Sequence, residues 1–191
     1  MAKRRSQADR RAETRAALKA AARALLLEKG YDATSTPEIA TRAGVTRGAL
    51  YHHFSDKQDL YRALALDESR AVAAYIEDQT RDPSDPHQAL EIGTRAYLDA
   101  MAYAGRAQLL LADAPSILGF DEALALSAHQ GSAELRAGLA QAMPNATREE
   151  LDALTQILSA AFDRAALEIA SGGNRTTFEN ALLGLLRKAM G

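Results

Sequence analysis

Between Ser35 and Phe54 there is room for only two short helices, and a glycine marks where they part. Ser35-Thr36-Pro37-Glu38 has the S-x-x-E pattern of a capping box, in which the Ser35 hydroxyl accepts from the Glu38 amide and the Glu38 carboxylate reaches back to the cap. Pro37 falls in the first turn, where its missing N–H removes no helical bond. The spacing predicts a helix over 36–43 that stops at Gly44, a Gly44-Val45 turn, and a helix from Arg47 to near Phe54 with Thr46 as its cap. Two short helices joined by a tight turn result.

The second of them has two faces. At about 100° per residue, Gly48, Tyr51 and His52 share one side with Arg47 at its edge, while Leu50 and Phe54 share the other. Leu50 and Phe54, with Ile39, Ala40, Ala43 and Val45, are expected to form a small core that fixes one helix across the other. The exposed side then offers a guanidinium, a phenol and an imidazole beside a glycine that lets a phosphate or base edge come close. Taken singly, Tyr51, His52 and His53 are equally well read as surface residues of a small bundle. Lys57, just inside a following helix, combines a positive charge with helix N-terminal amides and is a candidate phosphate anchor.

The rest of the chain reads as helix too. Abundant Ala and Leu, an aromatic content of 5% and no Trp point to an all-α protein. A first helix is expected over 14–29, ended by Gly30, and a fourth from Ser55 or Asp56 to about Gln79. Asp82-Pro83-Ser84-Asp85-Pro86 must break that helix. Helices over 87–103, 106–113, 120–142, 147–171 and 176–189 follow, giving about nine in all.

Charge divides the chain. Residues 1–62 hold 13 Lys and Arg against 7 Asp and Glu, and residues 63–191 hold 10 against 18. The expected organisation is a polyanion-binding head over 1–62, with 1–12 as a flexible basic arm, and an acidic body over 63–191. Lys3, Arg4, Arg5, Arg10 and Arg11 either follow DNA as that arm or form a solvated tail. With no Cys, thiol catalysis, disulfides and cysteine metal sites are excluded. His87 and His129 stand apart from any metal-binding or catalytic spacing, so no cofactor, no metal and no enzymatic activity are expected. The basic N-terminus leads into an Ala-rich segment carrying Lys19 and Arg23, unlike a secretory leader, and no stretch is long enough to span a bilayer. A cytoplasmic, membrane-free protein is expected.

The stretches Gly30-Tyr31-Asp32-Ala33-Thr34-Ser35, Glu38-Ile39-Ala40, Ala43-Gly44-Val45 and Gly48-Ala49-Leu50-Tyr51-His52-His53-Phe54, with Lys57, closely resemble the N-terminal domain of tetracycline-repressor-type (TetR family) regulators. The resemblance covers roughly 14–64. It implies an all-α homodimer with a three-helix helix-turn-helix DNA-binding domain and a larger helical domain that binds a small-molecule effector and dimerises. By position it implies Tyr51 and His52 in the major groove, Arg47 and Gly48 at the start of the recognition helix, Ser35 and Thr36 on the backbone, and Lys57 on a phosphate. Pro37 departs from the basic residue often found at its place, which moves base reading onto the third helix. The implied function is a repressor released from a pseudo-palindromic double-stranded operator by its effector. An effector-independent DNA-binding or architectural protein is the alternative.

In the body, Leu151, Leu154, Leu158 and Phe162 form one apolar stripe and Phe178, Leu182, Leu185 and Leu186 another. Leu151, Leu154, Leu158, Phe178, Leu182 and Leu185 are the candidate dimer residues, some shared with the monomer core. Candidates for an effector pocket are Tyr97, Met101, Tyr103, Leu110, Asp113, Ile117, Phe120, His129 and Phe162. Asp113, before Ala114-Pro115, either caps the next turn or faces a ligand.

Overall fold

The computed structural model describes residues 6–81, 85–127 and 131–190, and every regular element among them is helical. Helix α1 spans Gln7–Lys29, α2 Thr36–Arg42, α3 Arg47–His53 and α4 Lys57–Gln79. The chain divides into two compact units, Met1–Ala65 and Leu66–Gly191, so α4 contributes to both.

Helix α1 begins seven residues before the expected start because a cap, not burial, nucleates it. The Ser6 hydroxyl accepts from the Asp9 amide at 3.0 Å, and the Asp9 carboxylate accepts from the Ser6 amide at 2.9 Å. The turns that follow hold no apolar stripe, so hydrophobic periodicity could not register them. Arg10 and Arg11, expected in a flexible arm, therefore stand on a helix, while Lys3, Arg4 and Arg5 lie outside the described residues.

The core of the first unit joins Leu18, Ala21, Ala22 and Leu25 of α1 to Ile39 and Ala40 of α2, Leu50 of α3, and Phe54 and Leu60 beyond it. Leu18, Ile39 and Leu50 are fully buried, at about 1.5–3 kcal/mol of apolar transfer each. This is what holds two seven-residue helices in place, since neither would persist alone. Gly44 adopts φ +68°, a left-handed conformation that closes α2 while the Val45 amide donates to the Ala40 carbonyl at 3.0 Å.

The second unit contains the rest of α4, α5 (Pro86–Met101), a π-helical turn (Gln108–Asp113), α6 (Ala114–Leu118), α7 (Phe120–Ser127), α8 (Ala133–Ala142), α9 (Arg148–Ala170) and α10 (Arg175–Met190). Asp85 caps α5 by accepting from the Gln88 amide at 2.9 Å. Helix α5 packs against α8, α9 and α10, and Leu98, Leu139, Leu158 and Leu186 are almost fully buried. Arg187 on α10 donates to Glu91 at 2.7 and 2.9 Å, and Arg95 on α5 donates to Glu179 at 2.9 Å.

Two segments differ from expectation. The predicted helix over 120–142 is two, α7 and α8, with Gly131 at φ +108° between them. A Cβ at Gly131 would stand 2.6 Å from the Ile76 Cδ1, so the glycine also lets the chain lie against α4. The π-helical turn precedes Pro115, which has no N–H to return to the Leu111 carbonyl; the wider turn accommodates that missing bond.

Candidate nucleic-acid interface and ligand cavity

Thr46 caps α3 by accepting from the Ala49 amide at 3.1 Å, which sets Arg47 at the first helical position. With Leu50 turned into the core, Arg47, Gly48, Tyr51 and His52 are all exposed. The Tyr51 hydroxyl lies 3.0 Å from the Thr36 Oγ1, and the Arg47 guanidinium sits over its ring at 5.5 Å. Bonding to Thr36 first, and then to Arg47, lowers the phenol from its ordinary pKa. These contacts tie the N-terminus of α2 to the exposed side of α3 and fix the direction of the tyrosine.

Ser35 completes the predicted capping box. Its amide and hydroxyl reach the Glu38 carboxylate at 3.0 and 2.7 Å, and its Oγ accepts from the Glu38 amide at 3.5 Å. Lys29 donates to the same carboxylate at 2.5 Å. Bonding by Lys29 and then by Ser35 lowers the Glu38 carboxyl to about 2.

Several basic groups of this unit hold the fold together. Arg15 donates to the His53 carbonyl at 2.9 Å and stacks over Phe54 at 4.2 Å, and Arg42 pairs with Glu28 at 2.6 Å. Lys57 donates to the Tyr31 and Thr34 carbonyls at 2.7 and 2.9 Å and lies 3.9 Å from the Tyr31 ring centre. Two of its three N–H groups thus brace the loop between α1 and α2, a role that its position near a helix N-terminus did not reveal. Gly48 has no structural partner: a Cβ there would meet only the Thr46 Oγ1, at 3.9 Å.

In the second unit a cavity of about 270 Å³ opens between α5, α8, α9 and the end of α4. Ile76, Leu90, Leu135 and Phe162 supply apolar wall, and Thr80, Thr94, Tyr97 and Asp163 supply polar groups. The Tyr97 hydroxyl donates to Asp163 at 2.6 Å. Burial, followed by the charge of Asp163, pushes this phenol well above its ordinary pKa, so it stays a neutral donor. No group of three or more His, Cys, Asp or Glu among the described residues is placed to hold a metal ion, and no described helix is long and apolar enough to cross a membrane.

Residues 18–64 match the family of bacterial regulatory proteins described as tetR, and residues 87–189, more than half of the chain, match the tetracyclin repressor-like C-terminal domain. The chain belongs to the TetR family. Its relatives include the TetC protein of transposon Tn10 from Escherichia coli, 37% identical over 101 residues that make up 53% of this chain and 51% of TetC. The regulator AcrR of Shigella flexneri is 44% identical over 75 residues, 39% of this chain and 35% of AcrR. The match thus spans about half, or less, of these curated relatives. A TetR-family transcriptional regulator from Pectobacterium atrosepticum has a crystal structure that aligns over 96% of this chain and 94% of its own, with a TM-score of 0.70 and 26% identity.

Within the TetR frame, the expected site residues fall unevenly. Ser35 and Thr36 lie at the start of α2, where Thr36 meets Tyr51 of α3, Arg47, Gly48, Tyr51 and His52 share the exposed side of α3, and Lys57, at the start of α4, bonds to the α1–α2 loop. Of the pocket candidates, Tyr97 and Phe162 line the cavity, with ring centres 5.7 Å apart. Met101 and Tyr103 line a separate hollow between the ends of α5 and α9. Asp113, Ile117 and Phe120 line neither cavity; Phe120 is 72% exposed, and Asp113 accepts from Gln108 at 2.7 Å without capping α6. His129 lies outside the described residues.

Three of the six dimer candidates need correction: Leu151, Leu158 and Leu182 are buried within this chain and leave little surface for a partner. Leu154 and Phe178 are half-buried, whereas Leu185 is 43% and Ile157 65% exposed. Apolar spacing alone could not tell which stripe faces inward. Thr80, Thr94 and Asp163 were missed in the cavity, although Ser159 and Asp163 are four apart beside Phe162, as a polar track along an apolar helix requires.

Proposed function

We propose that this chain is a sequence-specific DNA-binding transcriptional regulator that acts as a homodimeric repressor and leaves its operator when a small molecule enters the body. One observation carries the reading. The exposed side of α3 presents a guanidinium, a phenol and an imidazole around a glycine that no neighbour in the chain requires. Such a side fits a major groove, where Arg47, Tyr51 and His52 reach base edges and phosphates and Gly48 allows the backbone to approach. Ser35 and Thr36, at the α2 N-terminus, meet the DNA backbone, and Lys57 supports them by bonding the α1–α2 loop. Arg10 and Arg11, exposed on α1, add sequence-independent, salt-sensitive attraction.

Dimerisation uses the outer sides of α9 and α10, where Ile157 and Leu185 stand exposed near the small residues Ala153, Ala160 and Ala181. Two subunits joined there would hold two α3 helices for successive major grooves of a pseudo-palindrome, about 34–36 Å apart. The cavity of about 270 Å³ is the effector site in this reading. An effector that prefers one body conformation shifts the population away from the DNA-competent spacing, which requires only differential affinity. The protein acts in the cytoplasm, where its operator lies.

Fluorescence anisotropy with an operator duplex and a scrambled duplex tests this reading. Replacing Tyr51 and His52 together by Ala is expected to remove the preference for the operator while leaving weak, salt-dependent binding to both. Undiminished preference in the double variant contradicts it.

A further inference from the structure

The two short helices differ in what they bring to the exposed side of the first unit. On α3, Arg47, Tyr51 and His52 are exposed. On α2, Ile39 and Ala40 are buried, Glu38 and Arg42 are paired with Lys29 and Glu28 of α1, and the Thr41 hydroxyl donates to the Pro37 carbonyl at 2.9 Å. Pro37 has neither a charge nor an N–H. That leaves Thr36, and its Oγ1 lies 3.0 Å from the Tyr51 hydroxyl, 15 positions away in sequence. Whichever oxygen donates, one proton lies between the two and one is left for a partner outside the pair.

The stiffness of both partners gives this bond its weight. Thr36 is β-branched, so its hydroxyl has few directions to choose from, and the ring of Pro37 fixes the backbone beside it. Tyr51 is a rigid ring on two side-chain torsions, 43% exposed, and without an anchor such a ring samples several rotamers. Held at its oxygen by Thr36 and on its face by Arg47 at 5.5 Å, with Leu50 buried one residue earlier, it keeps one direction. A reading group fixed before DNA arrives has less freedom to lose on binding. We infer that Thr36 is a positioning residue for base reading: it sets the direction of the Tyr51 phenol, so that α2 shapes specificity through α3 and not through a base contact of its own. This role rests on the DNA-binding reading above and is additional to the backbone contact of Thr36.

Two measurements on the full chain test it, and the first needs no DNA. The Tyr51 phenol is held below its ordinary pKa by Thr36 first and then by Arg47. A pH titration followed by NMR with ring-labelled tyrosine is expected to show its midpoint rising toward 10.0 in Thr36→Val and staying at the wild-type value in Thr36→Ser. An unmoved midpoint in Thr36→Val would overturn the inference. The second is a double-mutant cycle read by anisotropy on two duplexes, the sequence most enriched from random double-stranded DNA by the wild-type chain and a scrambled version of it. Thr36→Val and Tyr51→Phe are each expected to reduce the preference for the enriched duplex about fivefold, the worth of one hydrogen bond. The double variant is expected to lose no more than either single one, because both changes break the same contact, and Thr36→Ser is expected to keep the preference.

Single losses that multiply to about 25-fold in the double variant show two independent contacts and overturn the inference. So does a Thr36→Val loss that is equal on the two duplexes, which is what a backbone contact alone gives. Thr36 is only partly buried, and Thr36→Ala takes the place of Thr36→Val in the cycle should the valine variant not fold. The two claims fail differently. A wild-type chain that binds both duplexes alike removes the sequence-specific reading and this role with it, whereas a wild-type preference that survives intact in Thr36→Val removes this role alone.

Discussion

Gly48 occupies the second position of a seven-residue helix, and beyond its own helix backbone and chain neighbours the nearest atom to where a Cβ would be is the Thr46 Oγ1, at 3.9 Å. Glycine inside a helix is destabilising by roughly 0.5–1 kcal/mol relative to alanine. Gly48→Ala is therefore expected to raise the unfolding free energy of the first unit in urea by that order and, in the same protein, to weaken operator binding. A variant that gains stability and keeps its affinity would show that the open space is not a docking space. His53 gives a second test at this scale. Burial, then the charges of His52, Arg11 and Arg15, lower its pKa from the ordinary 6.5. The folded state thus binds a proton less readily than the unfolded state, so stability rises with pH and is lost as pH falls below 6.5 toward the folded value. Its ring carbon resonances in a pH titration by NMR are expected to shift with a midpoint under 6.5; a midpoint at or above 6.5 contradicts that electrostatic environment.

Among the elements, α2 depends most on its first turn, because seven residues supply few bonds of their own. Ser35→Ala removes the capping box and is expected to cost about 1 kcal/mol, measured by chemical denaturation. Glu38 makes that dependence visible with pH. Its folded carboxyl, at about 2, lies below the ordinary 4.5, so its contribution is complete above 4.5 and disappears as pH falls toward 2. The stability gap between wild type and Glu38→Gln is expected to close across that window, and a gap independent of pH would sink the assignment. Helices α2 and α3 were legible in the sequence because their caps, the Gly44 stop and the apolar residues all lie within a few positions of one another. The first turns of α1, the α7–α8 break and the π-helical turn were not. The first rests on a cap without an apolar stripe, and the second on the approach of Gly131 to Ile76, a neighbour distant in sequence.

For the whole molecule, the same separation holds between local and assembled features. The side of α3 that faces outward could be read from one helix, since Leu50 and Phe54 define its opposite. The cavity required four segments to meet, and only Tyr97 and Phe162 were anticipated in its wall; the Asp163 carboxylate that accepts from Tyr97 is brought there by a contact that no sequence spacing encodes. In the proposed dimer, Ile157→Glu places a charge on an exposed apolar position of α9 while leaving the buried Leu158 untouched. Sedimentation is expected to show a shift from dimer toward monomer, together with weaker operator binding; an unchanged dimer would move the interface elsewhere. The most direct test of the account is selection of bound sequences from random double-stranded DNA by the wild-type chain at moderate, stated salt. The account predicts a pseudo-palindrome whose half-site centres lie about one helical turn apart, whereas a bound pool indistinguishable from the starting pool would contradict it.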